Sequence, residues 1–443
     1  MLNFLMYFGL RLNKVTKKNL DWKFYLFLLG FLELVVGGGG RIFDFGGITL
    51  RMLLFGSTQL VLWYHIFSRQ YRPGKELSQL FLAFASVTAF SALWGHFRGA
   101  ELAAIIKDVK PLLYWSNLLF YGMVIRDTEH VTLIKKGIKW STVLMAALYL
   151  MILLLWRTKI IDGWAFYQWV RPTEEFFYRG SLGFFFKGFV FLPIGIFFWQ
   201  KEAGFRKYLF IFVIYLAMLL TFTRGLWLLI FMIHLMYTVL FNYKSAVSWL
   251  LVVLMITSVF SVSMYVGQLS HHDFEGLAIY QTPPPSVETM PELKPWQEKL
   301  GNSFSQGFKN RQSSVLDRII QIGEVAEAVT PASFFIGNGF GIGVPSRPVH
   351  MEISYLEIFH KQGLLGLSIW AWFFISLWKR FYRRIGKNLR SIDYKDETFA
   401  FFISAAFMFA ISLTNPFINS PMGLGMLGIA LVCLQIPQRE VEK

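Results

Sequence analysis

Cysteine and charge are both scarce in this 443-residue sequence. The one cysteine, Cys433, lies in the last apolar run, so the chain cannot form an internal disulfide or build a cysteine metal centre. Charged residues are 16% of the chain against 55% hydrophobic and 18% aromatic, more apolar surface than a soluble globule of this size can bury. Acid is scarcer still, with 27 Asp and Glu against 43 Lys and Arg, a net charge of +16. The basic residues fall mostly in short segments between apolar runs, where they set membrane orientation, so no nucleic-acid partner is expected. The opening MLNFLMYFGLRLNK lacks a leading charge and a small-residue cleavage site, and reads as a retained interfacial segment.

What is abundant is long apolar stretches. They predict an all-α, polytopic helical membrane protein with about twelve transmembrane helices. The spans lie at roughly 22–38, 46–67, 77–96, 110–126, 140–157, 182–199, 207–223, 225–242, 247–267, 352–378, 397–413 and 418–436. An even count puts both termini on one side. With the N-terminus cytoplasmic, more than half of the basic residues fall inside, as the positive-inside rule requires. This divides the chain into spans over residues 1–267, a large outer loop over 268–351 and further spans over 352–443. The loop passes through a proline-rich patch, TPPPSVETMPELKPW, then reaches NRQSSVLDRIIQIGEVAEA. Apolar residues at Val315, Ile319, Ile322 and Val325 predict an amphipathic helix there, with Ser313 or Ser314 as N-cap. The loop is expected to fold as short helices on the outer ends of the spans.

Three constellations could carry chemistry. Arg224, within TFTRG between two apolar runs, is either a snorkelling span end or a guanidinium that grips phosphate oxygens bidentately. Arg311 and Arg318 sit two helical turns apart and are either a solvated face, paired with Asp317 or Glu324, or part of the same phosphate site. The stretch PASFFIGNGFGIGVPSRPVHMEISYLEIFHKQGLLGL is the richest. Its Gly337, Gly339 and Gly341 let the backbone bend sharply or approach a ligand. His350 and Glu352 follow, just before a helix opening at about Ser354. Histidine is suited to act as a general base near neutral pH; Glu352 could be that base or could orient the histidine, and the bland alternative is a capping pair. His360 and Lys361 are weaker candidates, and a lysine buried there needs a partner that the sequence does not identify. His271 and His272 lack a matching carboxylate–histidine spacing, so no metal is expected.

Taken together, the Thr223-Arg224-Gly225 turn, the long loop ending in Gly-x-Gly-x-Gly, and Tyr355-Leu356-Glu357 followed by Gly363-Leu364-Leu365-Gly366-Leu367 resemble the O-antigen ligase and polymerase family of bacterial membrane proteins. The resemblance by motif covers the second half of the chain. It implies a glycosyltransferase of the bacterial cytoplasmic membrane, with its active site facing outward and no cofactor. The donor would be an undecaprenyl-pyrophosphate-linked glycan, transferred with inversion to an acceptor hydroxyl. A chain-length regulator and a flippase are candidate partners beside the membrane lipid. Arg224, with Arg311 or Arg318, would bind the leaving pyrophosphate, and preorganised cations would make a metal unnecessary. The family's usual histidine position, three residues before Tyr355, is Glu352 here, and His350 stands two residues earlier. Either would be the base. The leading expectation is a polymerase of lipid-linked repeat units for exopolysaccharide, capsule or O-antigen. The alternatives are a ligase that moves glycan to lipid A core or protein, and a flippase of the same lipid-linked sugar.

Overall fold

A computed structural model describes residues 21–178, 184–200, 202, 204–221, 223, 226, 312–385 and 397–436. Arg224, Arg311, the expected span 225–242 apart from Leu226, the expected span 247–267, and the proline-rich patch lie outside the described residues.

The chain is mostly helical. In order, the helices of its first part are α1 (Trp22–Val36), α2 (Leu50–Phe67), α3 (Lys75–Phe97), α4 (Leu102–Leu112), α5 (Asn117–Val124), α6 (Thr128–Arg157), α7 (Gly163–Val170), α8 (Phe191–Trp199) and α9 (Phe205–Leu220). After the undescribed stretch come α10 (Gln312–Glu327), α11 (Pro331–Ile336), α12 (Ser354–Ile385), α13 (Glu397–Ile411) and α14 (Pro421–Cys433). The all-α expectation needs one correction, because two short antiparallel hairpins occur. The first pairs β1 (Asp44–Phe45) with β2 (Ile48–Thr49), and the second pairs β3 (Phe176–Tyr178) with β4 (Phe184–Phe186). The first hairpin has a local cause: Gly46 and Gly47 adopt φ of 70° and 94°, the left-handed conformations that a two-residue hairpin turn demands.

Among the described residues, α3 and α6 are long and apolar enough to cross a membrane. Several other expected spans are interrupted. The apolar run 110–126 is split around Pro111 into α4, a 3-10 turn over Leu113–Ser116, and α5. The run 182–199 begins as β4 and becomes α-helical only at Phe191. The run 352–378 is broken at Gly363, where φ is 63° and ψ −158°. The amphipathic helix of the loop begins at Gln312, so Ser313 and Ser314 lie inside it rather than capping it.

The described chain divides into two compact units. The larger contains residues up to Ala89, Val109–Tyr243 and Ser368 onward. Within it, α6 packs against α1, α8 and α9, and α14 against α5 and α13. The helices α8 and α14 are buried on every side, as helices apolar all round must be. A Cβ on Gly425 of α14 would lie 2.3 Å from Leu34 Cδ2, and one on Gly428 a tight 3.1 Å from the Tyr121 ring, the close approach that small residues give to helix interfaces. Phe84, Trp115, Trp370 and Phe373 form an aromatic cluster within it, edge-to-face except for the tilted Phe84–Trp115 pair. The smaller unit, Phe90–Asp108 with the described part of Lys244–Leu367, carries the glycine turn and the charged residues that follow it.

Candidate active site

The site is built on a glycine turn laid against a broken helix. A capping box starts α11: Ser333 N donates to Thr330 Oγ1 at 3.1 Å, and Thr330 N donates back to Ser333 Oγ at 2.7 Å. Gly337 ends the helix with φ 77°, and Gly339 and Gly341 follow at 93° and 82°. Asn338 N then donates to His360 O at 2.8 Å and Gly339 N to Lys361 O at 3.0 Å. An uninterrupted α12 would keep those carbonyls for its own next turn, but the break at Gly363 releases them. Close approach as well as positive φ requires glycine here. A Cβ on Gly339 would strike the backbone of Gly95, and one on Gly363 would lie 2.6 Å from Gly337 N. The turn therefore approaches protein backbone, a use of glycine beside the sharp bend or ligand approach expected from the sequence. Side chains brace it as well: Trp94 Nε1 donates to Gly337 O at 3.2 Å and Arg98 Nη1 to Asn338 Oδ1 at 2.5 Å.

This scaffold brings together a buried charge cluster. Gly341 N donates to Asp108 Oδ2 at 2.8 Å. Asp108 Oδ1 lies 2.7 Å from Lys361 Nζ, and Glu357 Oε1 lies 2.7 Å from the same nitrogen. Lys361 Nζ also donates to Val349 O at 2.5 Å, so a single ammonium satisfies two carboxylates and one carbonyl. One residue after Val349, His350 places Nδ1 3.3 Å from Glu357 Oε1 and 3.7 Å from Asp108 Oδ1. The contrast in exposure is sharp. The side chains of Lys361 and Asp108 are 2% and 3% exposed, whereas that of His350 is 53% exposed. Asp108, His350 and Glu357 bring one possible ligand atom each within 4.8 Å of one another. The Lys361 ammonium already stands within hydrogen-bonding distance of both carboxylates, as an internal cation would.

A second charge set lies alongside, against α10. Glu352 Oε2 accepts from Arg318 Nε at 3.1 Å, and Glu352 Oε1 accepts from Arg347 Nη2 at 2.8 Å. Arg347 also reaches Asp317 at 3.4 Å. The segment is held by backbone pairing of Val344 with Arg347 and by Glu324, which accepts from Ser346 N and Oγ. Beneath it Val325, Val344 and Met351 form a small core with Leu356 and Phe359.

The two residues that the sequence offers as bases thus join different partners. His350 is backed by buried carboxylates, and Glu352 links two part-exposed guanidiniums. Arg318 pairs with Glu352 rather than with Asp317 or Glu324. Lys361, a weak candidate in sequence, is central, and His360 is buried with Nδ1 3.3 Å from the Asn338 amide. Asp108 and Arg347 are not singled out by the sequence, and Glu357 enters there only as part of the family motif. Glu357 and Lys361 did carry a signal, an i,i+4 acid–base pair in the favourable order. Asp108 carried none, being 253 positions from the lysine that it binds.

The described chain is thus mostly helical, with two helices long and apolar enough to cross a membrane and a polar cluster at the foot of a glycine turn. No family model matches the chain. The O-antigen polymerase of Shigella flexneri is 24% identical to it over 418 residues, 94% of this chain and 94% of that protein. The similarity runs through nearly the whole of both chains, beyond the second half that the motifs cover. The chain is a distant relative of the O-antigen polymerases, as its motifs led one to expect.

Proposed function

We propose that this protein is a glycosyltransferase that polymerises undecaprenyl-pyrophosphate-linked oligosaccharide repeat units at the outer face of the cytoplasmic membrane. About twelve transmembrane helices would hold the site there. The O-antigen polymerase relative supports polymerase over ligase or flippase. The observation that carries the chemical reading is the exposed His350 imidazole, backed through Nδ1 by buried carboxylates.

In this reading His350 is the base. A carboxylate at Nδ1 fixes the ring and stabilises the imidazolium that forms, leaving Nε2 to take a proton. The acceptor hydroxyl gives up that proton as its oxygen attacks the anomeric carbon of the donor. The bond from that carbon to the lipid pyrophosphate breaks with inversion, and its electron pair leaves on the pyrophosphate oxygen. Arg318 and Arg347, with side chains 30% and 39% exposed, would meet that charge with charge-assisted hydrogen bonds, and Arg224 and Arg311 are proposed to join them. Glu352 holds the two described guanidiniums together, a role that supports His350 rather than Glu352 as the base.

The test is elongation by purified protein supplied with the undecaprenyl-pyrophosphate-linked repeat unit of its own host. Ladders of polymer, with release of undecaprenyl pyrophosphate, are expected. Product confined to lipid A core or protein would replace polymerase by ligase. Movement of the donor across vesicles without release of lipid pyrophosphate would replace transfer by transport.

A further inference from the structure

We propose that Lys361 is a positioning residue that sets the charge surrounding His350: its buried ammonium cancels one of the two carboxylate charges beside the imidazole and pins the backbone that carries it. The proposal rests on His350 being the base of the transfer reaction.

The geometry supplies the argument. Asp108 and Glu357 bring two negative charges within 3.3–3.7 Å of His350 Nδ1, and Lys361 Nζ contacts both carboxylates at 2.7 Å. One net negative charge is left for the imidazolium to neutralise when it accepts a proton. Two uncompensated charges would hold that proton on the ring, and the base could not recycle. None would leave the imidazolium unsupported. Burial strengthens each of these couplings relative to water. The bond from Lys361 Nζ to Val349 O adds a geometric part, because it fixes the residue that precedes His350.

The other charged and titratable groups nearby are already engaged. His360 Nδ1 lies against Asn338, which also holds Arg98. Arg347 and Glu352, flanking His350 in the chain, pair with each other and with Asp317 and Arg318. Gly341 N occupies Asp108 Oδ2. Lys361 is therefore the cation placed to balance the pair of carboxylates. A fully buried lysine is costly to desolvate, and a role in setting charge accounts for its place here.

The experiment follows the titration of His350 in the purified full-length protein in detergent, by NMR of histidines labelled with carbon-13 at Cε1. The resonance that disappears in His350→Ala is assigned to His350. In Lys361→Met the midpoint is expected to rise by about one pH unit, since the imidazole is intrinsically more basic than either carboxylate and takes the proton. In Asp108→Asn it is expected to fall by a similar amount. The double variant Lys361→Met with Asp108→Asn restores a single negative charge and is expected to return close to wild type. Unmoved midpoints in both single variants, or a double variant that keeps the full shift of Lys361→Met, would overturn the proposal. If Lys361→Met does not fold, the rise in midpoint from Asp108→Asn to the double variant decides, and no rise would overturn the proposal. A parallel elongation assay separates this proposal from the reading beneath it. Normal polymer from His350→Ala would remove the base role whatever the titrations show. Loss of polymer together with unmoved midpoints would remove only the role of Lys361.

Discussion

Each unit contains a buried acid–base cluster, and the two differ in one respect that matters. In the larger unit, Arg51 grips Glu33 with Nε at 2.8 Å and Nη2 at 3.1 Å, and both side chains are buried. No exposed titratable group is attached to that pair among the described residues. In the smaller unit, the Asp108–Lys361–Glu357 cluster is just as deeply buried, but it ends at the half-exposed ring of His350. Ingredients of the same kind thus give a closed pair that holds helices α1 and α2 together and an open one that can exchange a proton with an arriving hydroxyl. Glu175 makes a third point of comparison. It is fully buried and satisfied by the backbone N–H groups of Gly39 and Arg41, the latter at 3.1 Å, and it too is closed. Burial of charge alone does not mark a reactive site; burial connected to an exposed acid–base group does.

The comparison is most sharply tested at its open end. His350→Ala should lower elongation by about 10²–10⁴-fold, the usual worth of a general base, while the protein elutes and melts as wild type. A change of less than tenfold would make the open cluster as structural as the closed one. At the closed end, Arg51→Met should destabilise by about 3–5 kcal/mol, because Glu33 is left buried without its partner. The paired change Glu33→Met with Arg51→Met should recover most of that loss, and folded protein of either kind should elongate at the wild-type rate. Thermal melts in detergent read the first part, and a catalytic defect in the folded double variant would blur the distinction. Gly339→Ala comes next, at about 1–3 kcal/mol, since φ is 93° and the new Cβ meets Gly95. It should lower stability and activity together, showing that the open cluster depends on its turn. The smallest effect is expected at the guanidiniums. Arg318→Ala or Arg347→Ala should lower kcat for elongation about tenfold, the loss of roughly one charge-assisted contact to the leaving pyrophosphate, with KM for the lipid-linked donor changed less. A rise confined to KM would instead make them binders of the ground-state donor.

Much of this site could be read from the residues, and the part that could not has a clear cause. The turn of Gly337, Gly339 and Gly341 and the helix start at Ser354 are local features, set by the conformations that glycine permits and by the apolar pattern that follows. His350 and Glu352 were recognisable as a polar pair before that helix. Their separation into two charge sets was not, because it depends on which side chains the fold brings alongside. Gly363 shows the same limit: in sequence it sits within the expected span 352–378, yet the helix breaks there, where it packs against Phe335 and Gly337. That break explains how Lys361 can be buried, since it precedes the kink and meets Asp108 within the smaller unit.

The sequence by itself determined the helical membrane class, the amphipathic α10, the glycine turn and the kinship with O-antigen polymerases. All of these depend on composition or on residues close together in the chain, where hydropathy and backbone preference act directly. Only the tertiary structure decided that Asp108 closes the cluster, that Lys361 balances it, and that His350 rather than Glu352 stands at its exposed edge. Those choices rest on contacts across as many as 253 positions, and neither propensity nor period carries information over that distance.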